Sequence, residues 1–193
     1  MGEILILSLA IFLVPFLPGQ FFWVLLVLLI VLPGTYALRR GPPFVPTSRK
    51  NMDAMMALAA IRPGQRVYDL GCGDGRLVFG AAARGAVATG YELSIPVYLV
   101  AKFRSFFRRG ADVRFGDFWT RDYRDADAIF CYLISGAMGP FQTTIWPQLK
   151  PGCRVISNVY RLKDIAPTKE QGEAAMYIKP TQPPLSPQQA ATP

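Results

Sequence analysis

Asp69-Leu70-Gly71-Cys72-Gly73-Asp74-Gly75-Arg76 is the stretch of this chain best suited to cradle a ligand. Glycines at a turn from strand to helix let the backbone approach a bound group closely, and the following helix start favours negative charge. A dinucleotide fingerprint requires G-x-G-x-x-G; Arg76 stands at its third glycine, so NAD and FAD are disfavoured. Two further acids lie downstream. Glu92 ends the next predicted strand, where a carboxylate in an open α/β sheet can bind both hydroxyls of a ribose. Asp117 ends the strand after that, next to Phe118 and Trp119, a pairing that suits the amino group and ring face of an adenine. Each acid alone reads equally well as a turn or cap residue. Three of them, at the carboxyl ends of three successive strands, point to one ligand. The chain has no histidine. Ser-His and Cys-His pairs, a histidine base and histidine metal ligands are therefore excluded, and no metal is expected. Any chemistry must come from a cofactor, carboxylates, hydroxyls or the backbone.

The elements that must position these residues alternate. Thr47 is expected to cap a helix running to about Ile61, fed with apolar contacts by Met52, Met55, Met56 and Leu58. Strands are predicted at Arg66–Leu70, Ala86–Glu92, Val113–Phe115, Asp127–Leu133, Arg154–Asn158 and Ala175–Lys179. Helices are predicted at Arg76–Ala83, from Ser94 and Pro96 to about Arg108, and at Phe141–Leu149, the last shortened by Pro147. Asp127–Leu133 is nearly continuous apolar, as a strand covered on both faces should be. The alternation implies a parallel sheet with helices on both faces, a Rossmann-like α/β class. Cys72, Cys131 and Cys153 fall in or beside strands and are expected buried and reduced; an odd cysteine count also rules out a fully paired disulfide framework.

Composition divides the chain. It has 193 residues, 21 Lys and Arg, 13 Asp and Glu, a net charge of +8 and 51% hydrophobic residues. From Ile4 to Leu38 there is no charged residue, and Arg39-Arg40 follow at once. No charged n-region or A-x-A-like site marks a cleaved signal peptide. As one straight helix the run would be about 52 Å long, against a hydrocarbon core of ~30 Å. Pro15, Pro18 and Gly19 break it, so one span near 20–38 after an interfacial or re-entrant piece is expected, with a tight two-helix hairpin as the other arrangement. Arg39, Arg40, Arg49 and Lys50 then place the following domain on the cytoplasmic side. The expected domains are a membrane anchor at 1–40, a soluble domain at 41–179 beginning with a stiff Pro-rich linker, and a disordered tail at 180–193. Lys102, Arg104, Arg108 and Arg109 make the third helix basic. The anchor favours anionic lipid over nucleic acid as the partner of that charge.

The loop and its spaced acids resemble the class I S-adenosylmethionine-dependent methyltransferases over about residues 43–179. A narrower resemblance rests on Pro43-Phe44-Val45-Pro46-Thr47, Tyr68-Asp69-Leu70-Gly71-Cys72-Gly73-Asp74-Gly75-Arg76 and Gly90-Tyr91-Glu92-Leu93. It is to membrane-anchored protein-lysine methyltransferases that act on the adenine nucleotide translocase and on the c subunit of ATP synthase. The resemblance implies S-adenosyl-L-methionine as cofactor. Gly71, Cys72, Gly73, Asp74 and Gly75 would wrap its methionine portion, with Asp69 near the amino group. Glu92 and Leu93 would hold the ribose, and Asp117 and Phe118 the adenine. Pro43, Phe44, Pro46 and Thr47 would close over the cofactor and substrate entrance, and Tyr132, at the end of the fourth strand, is the candidate for lining the acceptor channel. Two departures matter. No Arg-rich transit peptide precedes the apolar run, so a bacterial inner membrane fits better than a mitochondrial one. The Asn/Asp-Pro-Pro-Tyr tetrapeptide of nucleic-acid and glutamine enzymes is replaced by Cys131-Tyr132-Leu133-Ile134. The expected activity is methylation of a lysine in a membrane-embedded protein. Methylation of a lipid or quinone-like molecule, and a non-catalytic cofactor-binding scaffold, are the alternatives. Oligomeric state is not legible. Asp69→Ala and Glu92→Ala are both expected to weaken cofactor binding with the fold intact.

Overall fold

The computed structural model describes residues 46–181 together with Gly19, Phe21, Trp23, Val24 and Leu28. The expected span near 20–38, Phe44, the linker before Pro46 and the tail beyond Thr181 lie almost wholly outside these residues. Among the described residues no helix is long and apolar enough to cross a membrane. The chain divides into Met1–Pro43 and Phe44–Pro193, and the sheet belongs to the second unit.

Helix α1 spans Arg49–Ala59. Its cap is Ser48, whose hydroxyl accepts from the Asn51 amide at 3.2 Å, and not the expected Thr47. Thr47 is buried, and its carbonyl accepts from Arg76 Nη1. The helix stops at Ala60, which takes a left-handed conformation just before Arg62-Pro63; a residue preceding proline disfavours the helical region. The order then runs β1 (Arg66–Leu70), α2 (Arg76–Ala82), β2 (Val87–Glu92), α3 (Ile95–Ser105), β3 (Ala111–Phe115), β4 (Ala128–Cys131), α4 (Ser135–Pro140), β5 (Arg154–Asn158), β6 (Lys169–Gln171) and β7 (Ala174–Ile178).

The seven strands form one sheet in the order β3-β2-β1-β4-β5-β7-β6. Strands β1 to β5 pair in parallel, whereas β7 is antiparallel to both β5 and β6. The expected all-parallel sheet is therefore corrected to a mixed one. Only Gly172 and Glu173 separate β6 from β7, and so short a turn can join only antiparallel strands. The helix expected at Phe141–Leu149 starts earlier, at Ser135. It passes into a π turn (Phe141–Ile145) and then a 3-10 turn (Trp146–Gln148), changing its winding near Pro140 and Pro147, which lack an amide hydrogen.

One face of the sheet packs Val67, Phe130 and Ile156 under Met55 and Leu58 of α1 and Leu77 and Val78 of α2. The other packs Leu70, Ile129, Cys131 and Val155 under Phe141 and Ile145. Full burial of each large side chain contributes roughly 1.5–3 kcal/mol relative to exposure. All three cysteines are free and buried, as expected. In helix α3, Lys102 and Arg104 are tied to Asp112 and Asp74 at 2.9 and 3.0 Å, which leaves Arg108 and Arg109, just past its end, as the exposed cations beside its outward apolar side chains.

Candidate active site

Parallel strands all end on one edge, and the residues singled out above gather there. Asp69, the penultimate residue of β1, lies opposite Gly90 of β2 and Phe130 of β4. Its carboxyl is buried, 4% exposed. Burial, then the carboxylates of Glu92 and Asp74, push its pKa up to about 8. At neutral pH it holds a proton unless a cation comes beside it.

The loop after β1 turns on three glycines with positive φ, Gly71 (75°), Gly73 (55°) and Gly75 (82°), a region that other residues rarely enter. A Cβ on Gly71 would meet nothing within 4 Å, so this turn faces open space. The Cys72 amide donates to the Tyr91 carbonyl at 2.9 Å, locking the loop onto β2. Gly90 makes that close approach possible: a Cβ there would stand 2.6 Å from Cβ of Cys72 and from Val78. Two arginines brace the loop from outside. Arg76 forks onto Asp74, Nε to Oδ1 and Nη2 to Oδ2, both at 2.9 Å, while its Nη1 reaches the Thr47 carbonyl. Arg104 Nη1 donates to the Asp74 carbonyl and to Oδ2, both at 3.0 Å. Burial alone would raise the pKa of Asp74; the bonds from Arg76 and Arg104 outweigh it and hold the carboxyl below its ordinary value.

Glu92 is the knot of the site. Its Oε2 accepts from the Gly73 amide at 2.9 Å, and its Oε1 from the Leu93 and Ser94 amides at 2.9 and 2.8 Å. One carboxylate thus joins the glycine loop, the end of β2 and the start of α3. Asp117 does not end β3, as expected. The strand stops at Phe115, and Asp117 caps a 3-10 turn (Phe118–Thr120), its Oδ1 accepting from the Trp119 amide at 3.0 Å. It stays at the same edge because the Gly116 amide donates to the Glu92 carbonyl at 3.0 Å. Phe118 is buried with its ring centroid 4.7 Å from that of Trp119.

On the other side of Asp69, half-buried Tyr132 follows directly on Cys131, which pairs with Leu70. Thr47 is brought to the loop by Arg76, with exposed Pro46 beside it. Phe44 lies outside the described residues. The sequence reading missed three residues. Arg76 and Arg104 brace the loop: Arg104 reaches Asp74 across 30 residues and leaves no local signature, whereas Asp74, two positions before Arg76, was a local one. Asn158, at the carboxyl end of β5, is 1% exposed, and neither atom of its amide has a hydrogen-bond partner. It stands one position past the Cys131–Ser157 pair, level with Tyr132, and alternation puts it on the Ile156 face that also carries Phe130. The polar pair Ser157-Asn158 closing a strand after Val155-Ile156 was the available signal.

This arrangement fits S-adenosylmethionine. Three carboxyl groups crowd the loop, and burial with the charges of Glu92 and Asp74 raises the pKa of Asp69; the methionine portion of that molecule carries an ammonium and a sulfonium, which such a cluster would favour. The comparisons with known proteins agree. The family model of the ANTKMT methyltransferase domain matches residues 69–169. A protein-lysine N-methyltransferase of Saccharolobus islandicus is 30% identical over 126 residues, 63% of this chain and 78% of that protein. The human lysine N-methyltransferase named for the c subunit of ATP synthase is 27% identical over 135 residues, 68% of this chain; the match spans 57% of that longer protein. Among solved structures, an RNA methyltransferase from Salinibacter ruber in complex with S-adenosyl-L-homocysteine superposes with a TM-score of 0.68 at 27% identity, covering 74% of this chain and 98% of that one.

Proposed function

Because the chain belongs to the family of the ANTKMT methyltransferase domain and is an S-adenosylmethionine-dependent methyltransferase, we propose that it methylates a lysine side chain of a membrane protein. In this reading the apolar N-terminal segment holds the domain at the cytoplasmic face of a bilayer. The observation that carries the reading is the cluster of buried Asp69 with half-buried Glu92 and Asp74, built into the region that the family model matches.

When bound, S-adenosylmethionine supplies a methyl group on a positively charged sulfur, so the leaving group is already activated. The chain's own residues then have three tasks. Asp69 and the amides of the Gly71–Gly75 loop hold the methionine end, Glu92 and Leu93 the ribose, and Asp117 and Phe118 the adenine. Pro46 and Thr47, tied through Arg76 to Asp74, stand over the entrance. Tyr132 and Asn158 face the acceptor. A lysine must lose its proton before it can attack, and burial of the amine on entering the site would lower its pKa. The Asn158 carbonyl can accept from the neutral amine and orient it, which is positioning and not proton transfer. No histidine base is required.

Purified protein, methyl-labelled S-adenosylmethionine and membranes from cells lacking the gene test this. Label is followed on a protein gel, in the RNA fraction and in a protease-treated organic extract. A protease-sensitive protein band supports the proposal. Protease-resistant organic label would move the acceptor to a lipid or quinone-like molecule. Cofactor binding without any transfer would leave a scaffold. RNA is a second reading, favoured by the likeness to the Salinibacter ruber enzyme and the +8 charge. It predicts label in nucleic acid. Against it stand the apolar segment and the absence of the Asn/Asp-Pro-Pro-Tyr tetrapeptide.

A further inference from the structure

Helix α3 is apolar on its outward side as well as on its inward one, where Tyr98 packs against the core. Its inward side carries Ala101 and Ser105, both buried, and its outward side carries Leu99, Val100 and Phe103. Phe106 and Phe107 continue the stripe past the helix end, at spacings of 3 and 4 residues that keep all five on one side. Their exposures are 58, 56, 64, 74 and 76%. The rings of Phe103 and Phe107 touch edge to face at 5.4 Å, and Lys102 Nζ lies 5.7 Å from the Phe106 ring centre. A contiguous apolar patch on this scale marks an interaction surface.

We propose that the α3 stripe is a bilayer-immersed surface, inserted at the headgroup boundary of an anionic leaflet. Charge identifies the occupant. Between Leu93 and Gly116 the cations are Lys102, Arg104, Arg108, Arg109 and Arg114, and the single acid is Asp112. Asp112 is itself paired with Lys102 and Arg114. Arg108 and Arg109 are exposed at the end of the stripe. Large apolar side chains flanked by cations with no free acid are the signature of a helix lying in a membrane interface. A protein groove would more often balance such cations with acids. The stripe also has a geometric consequence. Helix α3 begins three residues after Glu92 and is about 16 Å long. Immersing its face keeps the rim of the active site within a helix length of the lipid, where a lysine at the end of a transmembrane segment is found.

This inference rests on the proposed membrane location but not on the N-terminal segment as its cause, and one experiment separates the two. Full-length protein carries a single introduced cysteine with a spin label at Leu99, Phe103 or Phe106; further variants carry it at Leu28, to report the N-terminal segment, and at Arg124, as an aqueous control. Cys72, Cys131 and Cys153 are buried and their thiol pKa values are raised by burial, so they do not compete for label. The protein is reconstituted into nanodiscs of phosphatidylcholine with or without phosphatidylglycerol, and collisions with oxygen and with a water-soluble nickel chelate are compared. The expected result is a several-fold rise in oxygen preference at positions 99, 103 and 106 with anionic lipid, none at 124, and the outcome at 28 independent of it. Equal nickel access at all three α3 positions would overturn the proposal. So would shielding that is the same in neutral discs, which assigns the stripe to the chain's own N-terminal segment. Dipolar broadening between labels would overturn it in favour of a second copy.

Discussion

Asp69 joins burial, charge and ligand in a single carboxyl group. Unfolded, it titrates near 3.9; folded, at about 8. Between these values the folded chain holds a proton that the unfolded chain has released. The contribution of Asp69 to stability is therefore full below pH 4, falls by up to ~1.4 kcal/mol per pH unit as pH rises, and levels off above pH 8. Asp69→Asn should lack that slope, as unfolding curves of the two proteins from pH 5 to 9 will show. Saturating S-adenosylmethionine brings a cation beside Asp69 and should flatten the wild-type slope. Parallel wild-type and variant curves would mean that Asp69 is already ionised in the free protein. Asn158 supports a second prediction. Replacing it with leucine, close in size, removes two unpartnered buried polar atoms, each of which costs about 1–3 kcal/mol of desolvation. Asn158→Leu should raise the unfolding temperature while lowering turnover, the opposite signs expected where stability is given up for function. Unchanged turnover would remove Asn158 from the acceptor side.

Elements meet at Glu92, which binds the glycine loop, its own strand end and the start of α3 through three backbone amides. Hydrogen bonds to a charged acceptor are worth about 1.5–3 kcal/mol each when buried, and half-buried Glu92 is partly screened by solvent. Glu92→Ala should therefore cost about 2–4 kcal/mol of stability and weaken S-adenosylmethionine binding at least about tenfold, measured by denaturant unfolding and calorimetry. The sequence reading expected an intact fold after this change, because a carboxylate at a strand end shows its ligand role but not its backbone partners; unchanged stability would restore that expectation. The same limit explains the other differences. Strand β4 was legible because both its faces are covered and its residues are apolar throughout, and β5 because Val155 and Ile156 follow the Pro151-Gly152 turn. Strand β6 was not, since Lys169, Glu170 and Gln171 are all exposed and carry no alternation. Ser48 and Thr47 offer the same capping chemistry, and Arg76, far along the chain, decides between them. Asp69, Glu92 and the glycines were legible because strand ends announce themselves; the link from Arg76 to Thr47 and that from Arg104 to Asp74 were not, because they join residues 29 and 30 apart, and nor was Asn158, whose burial comes from the fold.

At the scale of the whole molecule, a charge-free stretch from Ile4 to Leu38 precedes a domain that carries all 21 Lys and Arg and all but one of the acids. That division, the apolar stripe on α3 and the acid-lined site suit an enzyme that meets its acceptor at a bilayer. The matched region, residues 69–169, contains the cofactor loop but neither Thr47 nor the N-terminal segment, so the acceptor must be found by experiment. The most direct measurement is chemical. Membranes from cells lacking the gene are incubated with the purified protein and S-adenosylmethionine bearing a deuterated methyl group. The integral-protein fraction is acid-hydrolysed, and lysine carrying that methyl group on Nζ is quantified by mass spectrometry. The account predicts deuteriomethyl-lysine with the wild-type protein and at least about tenfold less with Glu92→Gln, whose binding of the cofactor is weakened. Transfer of label with no methylated lysine in that fraction would contradict it.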